Sequence, residues 1–320
     1  MRILIFGAGA VGAVVGLALE QAGHEVAFVV RRGRRAALGK LLVVDAQGRA
    51  RGRERLAAYE LGEVLPPWEW ILLAVRGDQL GEALTDLAAY GSPTARVALA
   101  AAALDGIERL RAAHPDGPCV TFLPTFSAHA EEPGLFHWFQ PPLLGSFVSP
   151  EDDPGAAAAA TELAQALDGA GVRCRTLPST SRQLLPLLGP AAVFIGAWEL
   201  AGWDAGALAG DRELRRITAA AIREAAAILG AASGHLGARL LSLSPTVALS
   251  ALLATLPRLT PPQARRMWRH HGPKIGGQTR QVIADLIARG DGREVGALVA
   301  LRQRLGPPPV EPSTPTAAGG

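Results

Sequence analysis

A chain of 320 residues with 49% hydrophobic and 19% charged side chains has ample material for a core, and its length suits two domains, or one domain with a helical extension. Its net charge of +3 gives no general attraction for polyanions, and its basic residues are local rather than spread as a stripe, which argues against nucleic acid. Two cysteines, Cys119 and Cys174, are too few for a disulfide framework; they fit a reduced, cytoplasmic compartment as buried small hydrophobes.

Arg2 to Phe6 is an apolar run of strand length. Gly7, Gly9 and Gly12 follow it in the spacing G-x-G-x-x-G. Ala13 to Gln21 carries a helical apolar stripe that Gly23 stops, and His24 to Val30 is a second β-rich run. Gly7 turns the chain off the strand, Gly9 lets backbone approach a pyrophosphate, and Gly12 lets helix and strand pack closely. The stretch Gly7, Ala8, Gly9, Ala10, Val11, Gly12 therefore reads as a dinucleotide-binding turn whose unpaired N–H groups face an anion. Residues 3–19 are uncharged, but Glu20, His24, Glu25 and the strand that follows oppose a secretory signal.

The end of the second strand selects the dinucleotide. An acid there would accept from a ribose 2′-hydroxyl. The chain instead reads Val30-Arg31-Arg32-Gly33-Arg34-Arg35, with no carboxylate in the run. Guanidinium forks match a 2′-phosphate, so Arg31 and Arg32 point to NADP(H).

Further along, Arg34 to Gly39 reads as a short helix, and Leu41–Asp45 with Arg53–Tyr59 as a hairpin. Trp70–Val75, Arg96–Ala101, Cys119–Leu123, Leu135–Phe139, Leu143–Phe147 and Val172–Thr176 read as strands. Leu80–Ala89, Gly106–Ala113 and Ala156–Ala170 read as helices. This alternation predicts an α/β fold with a Rossmann-type doubly wound parallel sheet over residues 1–180. From Ser181 the pattern turns helical: Arg182–Ala201, Asp211–Ala231, Pro245–Leu256, Pro262–His271, Gly276–Arg289 and Asp291–Leu305. An all-helical C-terminal domain over 181–305 follows, and the Pro/Gly/Ser/Thr-rich tail 306–320 is expected to be disordered. The apolar run Gln183–Trp198 is short for a bilayer and suits a buried helix, so no membrane partner is expected.

This order of elements resembles the ketopantoate reductase (2-dehydropantoate 2-reductase) family. GAGAVG at 7–12, HEVAFVVRR at 24–32, ILLAVRGDQ at 71–79, the Glu132-Pro133-Gly134 turn and ELRRITAAAIREAAAILGAASG at 213–234 carry the resemblance, as does the helix after Lys274. It implies NADPH-dependent reduction of a keto acid, a site between the two halves, Arg76 and Gln79 among the cofactor-binding residues, and a homodimer through the helical half. Its reacting groups are replaced. The family's lysine after the fourth strand becomes Arg76 and its asparagine in the next loop Ala102; the lysine and asparagines of the first helix of the second domain become Leu188, Ala192 and Gly196. Its serine falls near Pro261-Pro262, and its glutamate at Lys274. The expected substrate is therefore a small carbonyl or imine compound other than ketopantoate. The alternative is a non-catalytic NADP(H)-binding sensor or scaffold.

Reduction of a carbonyl needs a donor to the developing alkoxide. Lys274 is the sharpest candidate, one of only two lysines, with Lys40, among 32 basic side chains. His270 and His271 precede it, and Gln278 and Arg280 follow as carboxylate binders or an ordinary polar face. Glu199 is either a buried acid with a raised pKa or an exposed helix end. His129, expected in a loop after a strand, is a third candidate.

Overall fold

The computed structural model describes residues 1–33, 35, 41–45, 47–53, 57–63, 66–90, 92–101, 103–132, 134–140, 145–255 and 272–307. It divides into two compact units, Met1–Leu185 and Pro186 onward.

The first unit is built on β1 (Arg2–Phe6), α1 (Ala10–Gln21) and β2 (Glu25–Val30). There follow β3 (Leu41–Asp45), β4 (Ala50–Arg53), β5 (Ala57–Glu60), β6 (Trp70–Leu73), α2 (Leu80–Tyr90), β7 (Arg96–Leu99), α3 (Gly106–Ala113) and β8 (Cys119–Leu123). The unit ends with β9 (Ser127–Glu132), β10 (Leu135–Phe139), β11 (Ser146–Ser149), α4 (Ala157–Gly169), β12 (Cys174–Thr176) and the short α5 (Thr180–Gln183).

Eight strands form one sheet in the order β12-β11-β8-β7-β6-β1-β2-β5. The pairings from β5 through β8 are all parallel, and β11 runs antiparallel to β8. Chain order reverses between β1 and β6, the switch point beyond whose carboxyl ends ligands bind in such sheets. Parallel strands must be covered on both faces. One face packs Ile3, Ile5 and Phe28 against Val14, Val15 and Leu17 of α1 and Leu163 and Leu167 of α4. The other packs Leu4, Ile71 and Leu73 against Leu80 and Leu84 of α2 and Ile107 and Leu110 of α3. A second sheet, β4-β3-β10-β9, lies against the outer side of α1, contributing Leu41, Val43, Ala128 and Phe136 to the same core.

Two sequence readings change here. The hairpin closes on Ala50–Arg53, and Ala57–Glu60 leaves it to pair with β2 in the main sheet. His129 sits in a strand, not a loop: Ala128 alternates inward between the half-buried Ser127 and His129, and small alanines hid that period-two pattern. The short helix expected from Arg34 to Gly39 falls almost wholly outside the described residues, as does the tail beyond residue 307.

The second unit holds α6 (Leu185–Leu200), α7 (Ala205–Gly210), α8 (Arg212–Ser233), α9 (Leu236–Leu243), α10 (Thr246–Ala254), α11 (Gly276–Ala288) and α12 (Gly296–Leu305). The helix expected over Arg182–Ala201 is broken at Leu184, which separates α5 from α6. The last helix starts at Gly296 rather than Asp291. Asp211 caps α8 by accepting from the Leu214 N–H at 2.9 Å, and Gly234 ends it in the left-handed conformation. Buried Ala219, Ala221, Ala225 and Ala226 let neighbouring helices lie close to α8. Among the described residues no single helix is long and apolar enough to cross a membrane.

Candidate functional site

The glycine turn has the geometry its spacing demands. Gly7 has φ +103°, and a Cβ there would lie 2.6 Å from the Ala74 carbonyl oxygen. A Cβ on Gly12 would lie 2.0 Å from the Gly7 carbonyl oxygen, so only glycine lets α1 start this close to β1. Gly9 differs: a Cβ there would meet nothing within 4 Å. It stands exposed as the residue preceding α1, with no side-chain cap. The open space thus lies in front of the first turn of α1, where the N–H groups of Ala10, Val11 and Gly12 have no intrahelical acceptor. Space for an anion and donors to hold it coincide at the residue whose side chain would obstruct both.

At the end of β2 the arginines part company. Arg32 Nε donates to the Leu61 carbonyl at 3.0 Å, and Arg35 pairs with Glu63. Arg31 turns the other way. With the Gln79 amide oxygen facing the guanidinium groups, it accepts from Arg31 Nη2 at 2.9 Å and from Arg76 Nη2 at 3.2 Å. Arg76 is also held by Asp78, at 3.0 and 3.1 Å. Two guanidinium groups therefore converge beside one carboxylate, a net positive site between the ends of β2 and β6.

A carboxylate also reaches the end of β2, although none stands in the local run. Glu60 closes β5 opposite Val30, and its carboxylate accepts the backbone N–H of Arg35 at 3.2 Å and that of Gly33. Those N–H bonds, with Arg35 and Arg32 nearby, hold the Glu60 carboxyl below its ordinary value. The acid comes from a neighbouring strand, so reading along β2 alone misses it.

Cys119 and Cys174 are buried, which pushes their thiols up to about 11 and about 12. Both stay protonated at neutral pH and lack the thiolate a reaction would need. His129 lies opposite His137 in the small sheet, the rings stacked at 5.6 Å, and His137 meets Glu131 at 2.5 Å.

In the second unit, Glu199 is neither a lone acid nor a free helix end. Arg280 grips it with both terminal nitrogens, at 2.8 and 3.0 Å. Arg280 also donates to the carbonyls of Gly276, Leu305 and Gly306 at 3.0, 2.6 and 3.0 Å. With its donors engaged inside the protein, Arg280 ties α6 to α11 and to the end of α12. Gly196 backs onto this core, since a Cβ there would lie 3.0 Å from Leu305 and 3.4 Å from Ile283. A side chain there would press on both, and Ala192, one turn earlier, is buried too. Lys274 lies in a 3-10 turn, Gly272–Ile275, that leads into α11. A Cβ on Gly272 would come within 2.5 Å of the Trp203 ring, so this turn starts flat against an indole. Ala102, Pro261, Pro262, His270 and His271 lie outside the described residues.

Residues 3–144 match the family model described as ketopantoate reductase PanE/ApbA, so most of the first unit carries that family's pattern. Solved structures share the fold over nearly the whole length. The ternary structure of D-mandelate dehydrogenase with NADH and anilino(oxo)acetate is 17% identical with a TM-score of 0.72, covering 95% of this chain and 97% of that one. A 2-dehydropantoate 2-reductase from Geobacter metallireducens GS-15 is 19% identical with a TM-score of 0.70, covering 95% and 99%. A PanE/ApbA family ketopantoate reductase from Ralstonia eutropha JMP134 is 18% identical with a TM-score of 0.72, covering 95% and 97%. No curated protein matches the sequence.

Proposed function

We propose, from the ketopantoate reductase family pattern over residues 3–144, that this chain is an NADP(H)-dependent oxidoreductase acting on a small carbonyl or imine substrate other than ketopantoate. The observation that carries the reading is the open approach at Gly9 in front of α1, with Arg31 and Arg76 converging on Gln79 across the switch point. The Gly9–Gly12 backbone would hold the pyrophosphate. Arg31, aided by Arg76 and Gln79, would hold the 2′-phosphate. A bound reduced nicotinamide supplies the hydride. The chain must supply a proton or a positive charge for the developing alkoxide, and Lys274 is the group proposed for it. Glu199 is left with a structural task, because Arg280 engages both of its oxygens.

Substrate choice follows from what α6 presents. Leu188, Ala192 and Gly196 offer no hydrogen bond to a hydroxyl, and Gly196 is packed against its own unit's core. The same observation favours the second reading, an NADP(H)-binding protein without turnover. Titrating NADPH and NADH against tryptophan fluorescence tests the shared premise. Equal dissociation constants at matched ionic strength would defeat the NADP(H) assignment. Turnover of NADPH with any member of a carbonyl and imine panel separates the reductase from the sensor.

A further inference from the structure

The turn after β2 and the turn after β5 are stitched together. Leu61 N–H donates to the Val30 carbonyl at 2.9 Å, and Arg32 Nε donates to the Leu61 carbonyl at 3.0 Å. Glu60 accepts the N–H groups of Gly33 and Arg35, its own N–H donates to Glu63 at 3.2 Å, and Glu63 pairs with Arg35. Gly62, at φ +98°, leaves room for the Arg32 guanidinium, which a Cβ there would meet at 2.6 Å.

We infer that Glu60 is a positioning residue for dinucleotide choice: by clasping the backbone of Gly33 and Arg35 it fixes the exit of β2, and so holds Arg31 aimed at Gln79 rather than swinging in solvent. This rests on the nucleotide reading above and names the part of the chain that makes the site selective. An arginine side chain carries large rotamer entropy, and a guanidinium grips a phosphate well only when its base is already held. Glu60 supplies that hold from a neighbouring strand.

The sign of the effect separates positioning from simple charge. Coulomb's law alone says that removing a carboxylate beside arginines should strengthen binding of a phosphate. Positioning predicts the opposite. The test measures NADPH and NADH dissociation constants for the full chain and for Glu60→Ala, Glu60→Asp and Glu60→Gln, with a thermal melt of each. Glu60→Ala should weaken NADPH about tenfold, the size of losing roughly one charge-assisted contact, and leave NADH within about twofold. Glu60→Asp keeps the charge but shortens the reach, and should resemble alanine. Glu60→Gln keeps an acceptor oxygen at full reach, and should retain most of the preference. Tighter NADPH binding by Glu60→Ala, parallel changes in both nucleotides, or wild-type behaviour of Glu60→Asp would each overturn the inference. A wild-type chain that binds neither nucleotide, or both equally, removes the underlying reading before any variant is compared.

Discussion

Arg280 holds Glu199 by both terminal nitrogens, at 2.8 and 3.0 Å, with only 6% and 15% of the two side chains exposed. Removing one partner of such a pair leaves a buried charge uncompensated, which costs about 3–5 kcal/mol. Arg280→Ala should therefore lower the stability of the second unit strongly, and Arg280→Ala with Glu199→Leu should recover part of the loss. Urea denaturation of the three proteins checks this. A Glu199→Gln protein of wild-type stability but without turnover would instead make Glu199 a reacting group.

Arg31 and Arg32 should not be equivalent. Arg31→Ala removes the guanidinium that faces Gln79 and Arg76, and should weaken NADPH by roughly ten- to a hundredfold, the range of a hydrogen bond to a charged group. Arg32, turned to the Leu61 carbonyl, should matter several-fold less. Fluorescence titration of both variants decides it; a larger loss for Arg32→Ala would reassign the phosphate contact.

Ketopantoate should be a poor substrate. Each missing preorganised donor costs a factor of about a hundred to a thousand, and Leu188 and Ala192 can donate nothing from their side chains. An NADPH-oxidation assay with ketopantoate that reached the enzyme median of roughly ten per second would contradict this.

Once a substrate is found, Lys274→Ala and Lys274→Arg should both abolish turnover with NADPH affinity unchanged, because arginine cannot release a proton near neutral pH. Full turnover in Lys274→Arg would leave only an electrostatic role. A silent Lys274→Ala would favour the protein without turnover. Gly272→Ala should mimic the loss by pushing the turn off the Trp203 ring.

Glu151 gives an acid-sensitive contribution. It is buried at φ +52°, and its carboxylate accepts from the Ser179 hydroxyl at 2.8 Å, the Thr180 hydroxyl, and the N–H groups of Thr180 and Ser181 at 3.0 Å each. Burial alone would raise this carboxyl; the donors together outweigh it and hold it below the ordinary 4.5. A depressed carboxyl stabilises the fold above its unfolded value and loses that contribution as pH falls through its folded one. The stability gap between wild type and Glu151→Gln should therefore be full at neutral pH and shrink as pH drops below 4.5. A gap unchanged down to strongly acidic pH would show that the charge is not what the donors hold.

Much of this was legible along the chain because its causes are local. The glycine spacing fixed a turn, and the apolar runs at β1, β6 and β7 are what a strand covered on both faces requires. The misses share another cause: they depend on partners distant in sequence. Glu60 reaches the end of β2 only because β5 joins the main sheet, and Arg280 meets Glu199 across two helices. His129 reads as a loop residue along the chain because alanines carry a weak strand signal. Leu188, Ala192 and Gly196 read as apolar along the chain, but that a Cβ at Gly196 would crowd Leu305 and Ile283 is visible only in the packing.

The helix that would receive the pyrophosphate is covered on opposite sides, by the main sheet and by β3, β4, β9 and β10 of the second. From Ala13 onward its amides should be among the slowest in the first unit to exchange with deuterated water, with or without nucleotide. Ordering on binding then falls on the turns after β2 and β5. Their amides, with those of Ala10, Val11 and Gly12 that would meet the pyrophosphate, and not the rest of α1, should show the change in exchange rate when NADPH is added.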